Sequence, residues 1–156
     1  MYSHRVILLG LLTLMMALWV AGCQPMPAQP ATSAHSYEAV GVTPNAAFKL
    51  HLGQEAVIDQ SAMHLLFAAV EEDARCPSQV TCNEDGPALI RVDVTLKDGS
   101  VRQLILDANS SNPANAIEMI EEYSLRAARL TPLAELPESP IPTQEYVATL
   151  VIRNEK

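Results

Sequence analysis

Positive charge is scarce in this chain: ten Lys and Arg stand against eighteen Asp and Glu, and the formal net charge is −8. A field of that sign repels nucleic acid and anionic lipid headgroups, so no nucleic-acid partner is expected. Cysteine is scarcer still, with three in 156 residues. Tetrahedral zinc needs four ligands, and neither a second cysteine pair nor a histidine cluster is present to complete a set. Long apolar runs are missing as well. The longest, at residues 6–20, has 15 residues, short of the ~20 that a transmembrane helix needs. No nucleophile elbow, no Asp-x-Asp-x-Asp-Gly loop and no internal repeat interrupts the pattern. With 156 residues there is room for one domain and not for two.

What is there begins with a leader. His4 and Arg5 precede the apolar run, the arrangement of a secretory signal peptide occupying residues 1–22. The run closes on Trp19-Val20-Ala21-Gly22-Cys23, which resembles the lipobox of bacterial lipoproteins: an apolar residue, two small residues and the cysteine that is modified. Small Ala21 and Gly22 let an extended backbone enter a peptidase cleft, and the Cys23 thiol is the nucleophile that takes a diacylglyceryl group. The resemblance implies lipidation of Cys23 with diacylglyceryl and palmitate-type chains, and cleavage before it. Removing 22 residues from 156 leaves a mature chain of 134, and losing Arg5 takes the formal charge from −8 to −9. Each buried methylene contributes roughly 0.8 kcal/mol, so two or three acyl chains would hold the protein at a bilayer permanently. The implied address is the cell envelope, on the outer face of the cytoplasmic membrane or in the outer membrane. Gln24 following Cys23 resembles the outer-membrane pattern.

Residues 23–44 are rich in Pro, Ala, Ser, Thr and Gln, and Pro25, Pro27 and Pro30 forbid a regular helix. They read as a disordered tether reaching up to roughly 60 Å in a polyproline-like state. From residue 45 to 156 the pattern becomes short runs with two-residue alternation, punctuated by Gly, Pro, Asn and Asp. That predicts an all-β domain, a small disulfide-pinned sandwich of about seven strands. Residues 47–52 and 56–58 should form a hairpin through Gly53-Gln54. Residues 63–70 should be a strand, although 61–73 also suits a helix. The strongest signal is 88–96 and 101–106, joined by Lys97-Asp98-Gly99-Ser100 into a second hairpin. Residues 116–122 read as strand or helical turn, 123–130 and 145–153 as strands, and Pro132, Pro137, Pro140 and Pro142 as an irregular crossing between those two.

With Cys23 lipidated and the chain exported, Cys76 and Cys82 remain and should be disulfide-bonded. Closing so short a ring contributes about 2 to 2.5 kcal/mol. The segment Glu72-Asp73-Ala74-Arg75-Cys76-Pro77, continuing to Cys82 and Gly86, resembles a motif of exported bacterial domains that themselves lack a known activity. Those domains read acidic-Asp-Ser-Arg-Cys-Pro, then a second cysteine and a glycine. The likeness extends back to Gly53-Gln54 and forward to 123–130 and Pro132. Ala74 departs from the pattern, and so does Asn83-Glu84-Asp85, where an apolar-aromatic pair usually precedes the glycine. The resemblance implies a fold and a disulfide and no activity.

The disulfide would gather Glu71, Glu72, Asp73, Glu84 and Asp85 at one end of the domain. Glu72, Asp73, Glu84 and Asp85 are the calcium candidates, since hard cations take dense carboxylates. A solvated acidic rim, with Asp73 paired to Arg75 or capping a turn, is the expected alternative. His51 should face solvent and His64 should sit in the core, which leaves no base for a Ser, Thr or Cys nucleophile. Asp59, Asp93 and Asp107 could converge as catalytic carboxylates, but solvent-facing strand positions explain them equally well. The expectation is therefore a membrane-anchored, non-catalytic binding or accessory module. Its loops at 76–82 and 132–142 would meet an envelope or extracellular protein or a small ligand. A calcium-stabilised structural lipoprotein is the alternative, and a hydrolase is a more distant third.

Overall fold

In β5 (Ala88–Thr95) the expected alternation is complete: Ala88, Ile90, Val92 and Val94 are fully buried, and Leu89, Arg91, Asp93 and Thr95 turn to the opposite face. The same period-two rule holds over 55–58, 63–67 and 147–152 in the computed structural model, which describes residues 37–58, 62–109 and 116–156. The leader, Cys23, most of the tether and Asp59 lie outside the described residues.

Nine strands form two sheets. β1 (Val40–Val42), β3 (Glu55–Ile58), β4 (Met63–Asp73), β5 and β6 (Val101–Asp107) make a five-stranded sheet in the order β1-β3-β4-β5-β6. β2 (Ala47–His51), β9 (Val147–Asn154), β8 (Tyr123–Thr131) and β7 (Ile117–Ile120) make a four-stranded sheet in the order β2-β9-β8-β7. All pairs are antiparallel except β1 with β3. The inner faces share one core. Met63, Leu65, Phe67, Ile90 and Leu106 come from the first sheet, and Leu50, Leu125, Leu130, Leu150 and Ile152 from the second. The described core residues all lie in one unit, His35–Lys156. The all-β sandwich and the Cys76–Cys82 disulfide are both as expected, the latter with Cα atoms 5.9 Å apart.

The β5–β6 hairpin is also as expected. Gly99 takes φ 83° in its turn, and Asp98 accepts the Ser100 N–H at 2.8 Å. Both ambiguous segments, at 61–73 and 116–122, hold strands, β4 and β7.

Three expectations fail. Residues 47–52 and 56–58 do not pair as a hairpin, because the chain changes sheets between them. The Leu52 N–H donates to the Tyr146 carbonyl at 3.0 Å in one sheet, and the next, of Gly53, donates to Phe67 at 2.8 Å in the other. Gly53 reaches φ 82° to make that step. The tether ends earlier than residue 44, since Val40–Val42 is an edge strand beside β3. Gln54 fixes its approach: Oε1 accepts the His51 N–H at 3.0 Å and Nε2 donates to the Glu38 carbonyl at 2.8 Å. Finally, His64 is not in the core. Strand alternation turns it outward, 42% exposed, where Nδ1 lies 2.6 Å from Glu55 Oε1 across the ladder.

Candidate functional site

The two loops expected to act in recognition meet at one end of the sandwich. β4 carries two register shifts, at Phe67/Ala69 and Val70/Glu72, and delivers Asp73 and Arg75 to that end. Arg75 Nε and Nη2 donate to the two Asp73 carboxylate oxygens at 2.6 and 2.7 Å. Nη1 reaches on to the Leu130 carbonyl, and Nη2 to that of Pro132 at 2.7 Å. Tyr146 Oη donates to Asp73 Oδ2 at 3.0 Å. The planar guanidinium fork thus ties the end of β4 to the start of the 132–142 loop, which opens on the cis Thr131–Pro132 bond. The Arg75 and Asp73 side chains are 8% and 15% exposed. A bidentate pair this withdrawn from water functions as framework.

The electrostatics follow from that geometry. Burial pushes the Asp73 carboxyl up, but the hydrogen bonds and charge of Arg75, with the Tyr146 hydroxyl, outweigh it and hold it below 3.8. Burial, then the bond to Asp73 and its charge, push the Tyr146 hydroxyl up to about 12.

Backbone bonds then join the loops. Ser78 N–H donates to Ala134 O at 2.9 Å and Gln79 N–H to Glu135 O at 3.0 Å, with the Gln79 side chain on Glu135 Oε2 at 3.2 Å. The disulfide closes the other side of the ring. Gly86 packs against the Ala74 backbone, where any Cβ would collide, and the Ala74 N–H donates to Pro87 O at 2.9 Å. Asp85 Oδ1 accepts the Cys76 N–H at 2.7 Å and Oδ2 accepts Asn109 Nδ2 at 2.9 Å. Those two bonds, the Asn109 one the larger, lower its pKa. The Asp-x-Arg-Cys-Pro to Cys to Gly pattern is therefore a clamp, a ring and a close approach, each with a structural cause.

Between the joined loops lies an open cleft of about 450 Å³, walled by Pro77, Val80, Leu133, Ala134 and Ile141 with Tyr146, Asp73 and Arg75 below. Val80, Leu133 and Leu136 stand 37%, 41% and 40% exposed. A second recess of about 230 Å³ opens on the far side of Arg75, between Asp85, Asn109 and Arg129.

Two of the four calcium candidates are already engaged by other partners. Asp73 and Asp85 direct their oxygens to Arg75, Tyr146, Cys76 and Asn109, while Glu72 and Glu84 are exposed. Glu71 faces Arg91 at 3.6 Å. Among the described residues no three His, Cys, Asp or Glu side chains converge. Asp93 and Asp107 are four ladder positions apart on β5 and β6, about 14 Å at ~3.4 Å per residue and ~4.8 Å between strands. Asp107 Oδ1 accepts the Ala88 and Asn109 N–H groups, and Asp93 lies 3.6 Å from Arg91. His51 stacks on Tyr37 at the far edge of the other sheet. Sequence reasoning missed Tyr146 as the third member of the Asp73–Arg75 node, since 70 residues separate it from that segment and no local pattern marks it.

No family model, curated protein or solved structure matches the chain.

Proposed function

We propose that the protein is an exported lipoprotein, anchored at the cell envelope through Cys23, and that its sandwich is a non-catalytic binding module for another envelope or extracellular protein. The observation that carries this reading is the union of the 76–82 and 132–142 loops into one ledge. Two backbone hydrogen bonds, a disulfide and the Arg75 fork hold it, and Val80, Leu133 and Leu136 are presented outward. Ordering a loop on binding costs about 0.5 to 1.5 kcal/mol per immobilised side chain, so a ledge ordered beforehand is a favourable recognition surface. Its apolar centre within a polar rim matches the composition of protein-binding patches. The ionisable groups of the ledge already bond one another, which suits recognition better than proton transfer.

Two measurements test the two halves. Mass spectrometry of the native N-terminal peptide is expected to find Cys23 acylated; a free thiol at that position would remove the anchor. A photo-crosslinking amino acid placed at Val80 or Leu133 in intact envelopes should yield discrete adducts, whereas the same group at Val101 on β6 should yield none. Equal labelling at all three positions would refute the ledge.

A further inference from the structure

The outer face of the four-stranded sheet carries a charge opposite to that of the whole chain. The registers place Lys49 of β2, Arg126 and Arg129 of β8 and Arg153 of β9 on that face, and no Asp or Glu occupies any of its ladder positions. Among the described residues none of the four forms an ion pair, whereas Arg75, Arg91 and Lys156 elsewhere each do. From ~4.8 Å between strands and ~3.4 Å per residue, Lys49, Arg126 and Arg153 make a triangle with sides of roughly 8 to 14 Å. Arg129 follows the bulge at Ala128 and also lines the recess beside Asp85, so it stands outside the triangle. Ile117 and Met119 of β7, 36% and 51% exposed, lie beside Arg126 and Arg153 around a shallow recess of about 220 Å³. One carboxylate shares that recess: Glu155 lines it and accepts the hydroxyl of Ser124, the ladder partner of Arg153, while Glu145 precedes β9 and Glu38 lies where the chain arrives.

The chain also arrives on this face. Tyr37, the first described residue, stacks on His51 of β2, with ring centroids 4.4 Å apart and planes 12° from parallel. His51 shares the outward side of β2 with Lys49. Thirteen residues separate Cys23 from Tyr37, a reach of at most about 50 Å when fully extended. The net charge of −8 does not forbid contact with an anionic surface. At physiological salt the Debye length is about 8 Å, and the sheets of a sandwich lie ~10 Å apart, so carboxylates on the opposite face are largely screened. The cations at the surface itself then decide the interaction.

We propose that this face docks onto an anionic phospholipid bilayer, with Lys49, Arg126 and Arg153 on headgroup phosphates and Ile117 and Met119 at the headgroup boundary. The domain then lies against the membrane that holds Cys23 instead of standing off on its tether. This inference rests on the lipid-anchor reading above, and its test is independent of that reading.

The probe is residues 23–156 carrying Cys23→Ser, a chain that keeps the whole compact unit and cannot be acylated. Sedimentation with vesicles of one part phosphatidylglycerol to two parts phosphatidylcholine is expected to show at least about tenfold stronger partition than with phosphatidylcholine alone, lost at high salt. Lys49→Gln/Arg126→Gln/Arg153→Gln should lose about 100-fold, at roughly fivefold per cation. The exposed pair Lys49→Gln/Arg153→Gln serves if the triple variant melts early, with an expected loss of about 25-fold. Lys97→Gln/Lys156→Gln, off the face, should change partition by less than about twofold. Equal partition into both vesicle types, or an off-face pair as damaging as the face variants, would overturn the proposal. Stronger binding to soluble polyglutamate than to the vesicles would also overturn it and assign the face to an acidic protein.

Discussion

Arg75 and Arg126 sit in the same sandwich under opposite conditions. Arg75 is 8% exposed, and all three of its guanidinium nitrogens bond Asp73 or the carbonyls of Leu130 and Pro132. Arg126, with Lys49 and Arg153 on its face, bonds no carboxylate among the described residues. A buried fork whose partners are internal holds architecture and has nothing left to offer a ligand. Cations left unpaired at a surface contribute little to folding and keep their charge available. The difference separates the residues that build this domain from those that can act outside it.

Arg75 is where a substitution costs the fold most. Arg75→Ala leaves the Asp73 carboxylate buried beside Tyr146 and takes the donor from the carbonyls of Leu130 and Pro132, so urea denaturation should show a loss of about 3 to 5 kcal/mol. Arg75→Lys should recover little of it, because one ammonium cannot reproduce the planar fork. If Arg75→Ala costs no more than Arg126→Ala, the division between the two regions is wrong. Next in size is the ring beside the clamp. Cys76→Ser/Cys82→Ser should cost about 2 kcal/mol by loop entropy. The amides of Ser78 and Gln79 should then exchange hydrogen faster, as their bonds to Ala134 and Glu135 lose the constraint.

The clamped side also responds to protonation. Arg75 and Tyr146 hold the Asp73 carboxyl below its unfolded value of 3.8. A depressed folded pKa contributes stability that is present above the unfolded value and lost as pH falls through the folded one. The unfolding free energy should therefore decline below about pH 4, and Asp73→Asn should flatten that decline while lowering stability at neutral pH. Tyr146 runs the other way. Its folded pKa is raised to about 12, so its contribution is complete below 10.0 and disappears as pH climbs through about 12. Tyr146→Phe, which removes one hydrogen bond to a charged group, should cost about 1.5 kcal/mol at neutral pH.

The two regions were not equally legible. Alternation over 88–96 and 101–106 is a local signal, and the β5–β6 hairpin forms where it points. The Asp73-x-Arg75-Cys76 segment was visible as a motif, but its meaning depends on carbonyls 55 and 57 residues downstream. Gly53-Gln54 illustrates the limit from the other side. A glycine turn between two apolar runs fits a hairpin and a change of sheet equally well locally, and only the distant partners Tyr146 and Phe67 decide. The run around His64 is apolar at consecutive positions, which hides the alternation that turns it outward. β1 has three residues, too few for a period to register. The cation face left no local trace at all: Lys49, Arg126 and Arg153 come from three strands, and pairing register alone gathers them.

The smallest expected effect is the one that tells most about that face. Lys49→Gln/Arg126→Gln/Arg153→Gln deletes three charges yet breaks no ion pair among the described residues. Exposed substitutions away from caps, cores and networks stay within about 0.5 kcal/mol. Three like charges on one sheet face repel one another, but deleting them takes the formal net charge from −8 to −11, so the local relief and the added overall repulsion oppose each other. Thermal unfolding of the triple variant should therefore match that of the parent to within about 0.5 kcal/mol at low and at high salt. A loss of 2 kcal/mol or more would mean that these cations have internal partners after all and belong with Arg75. An unchanged melt alongside lost vesicle binding would leave the face with no structural task, its charge maintained for a contact outside the fold.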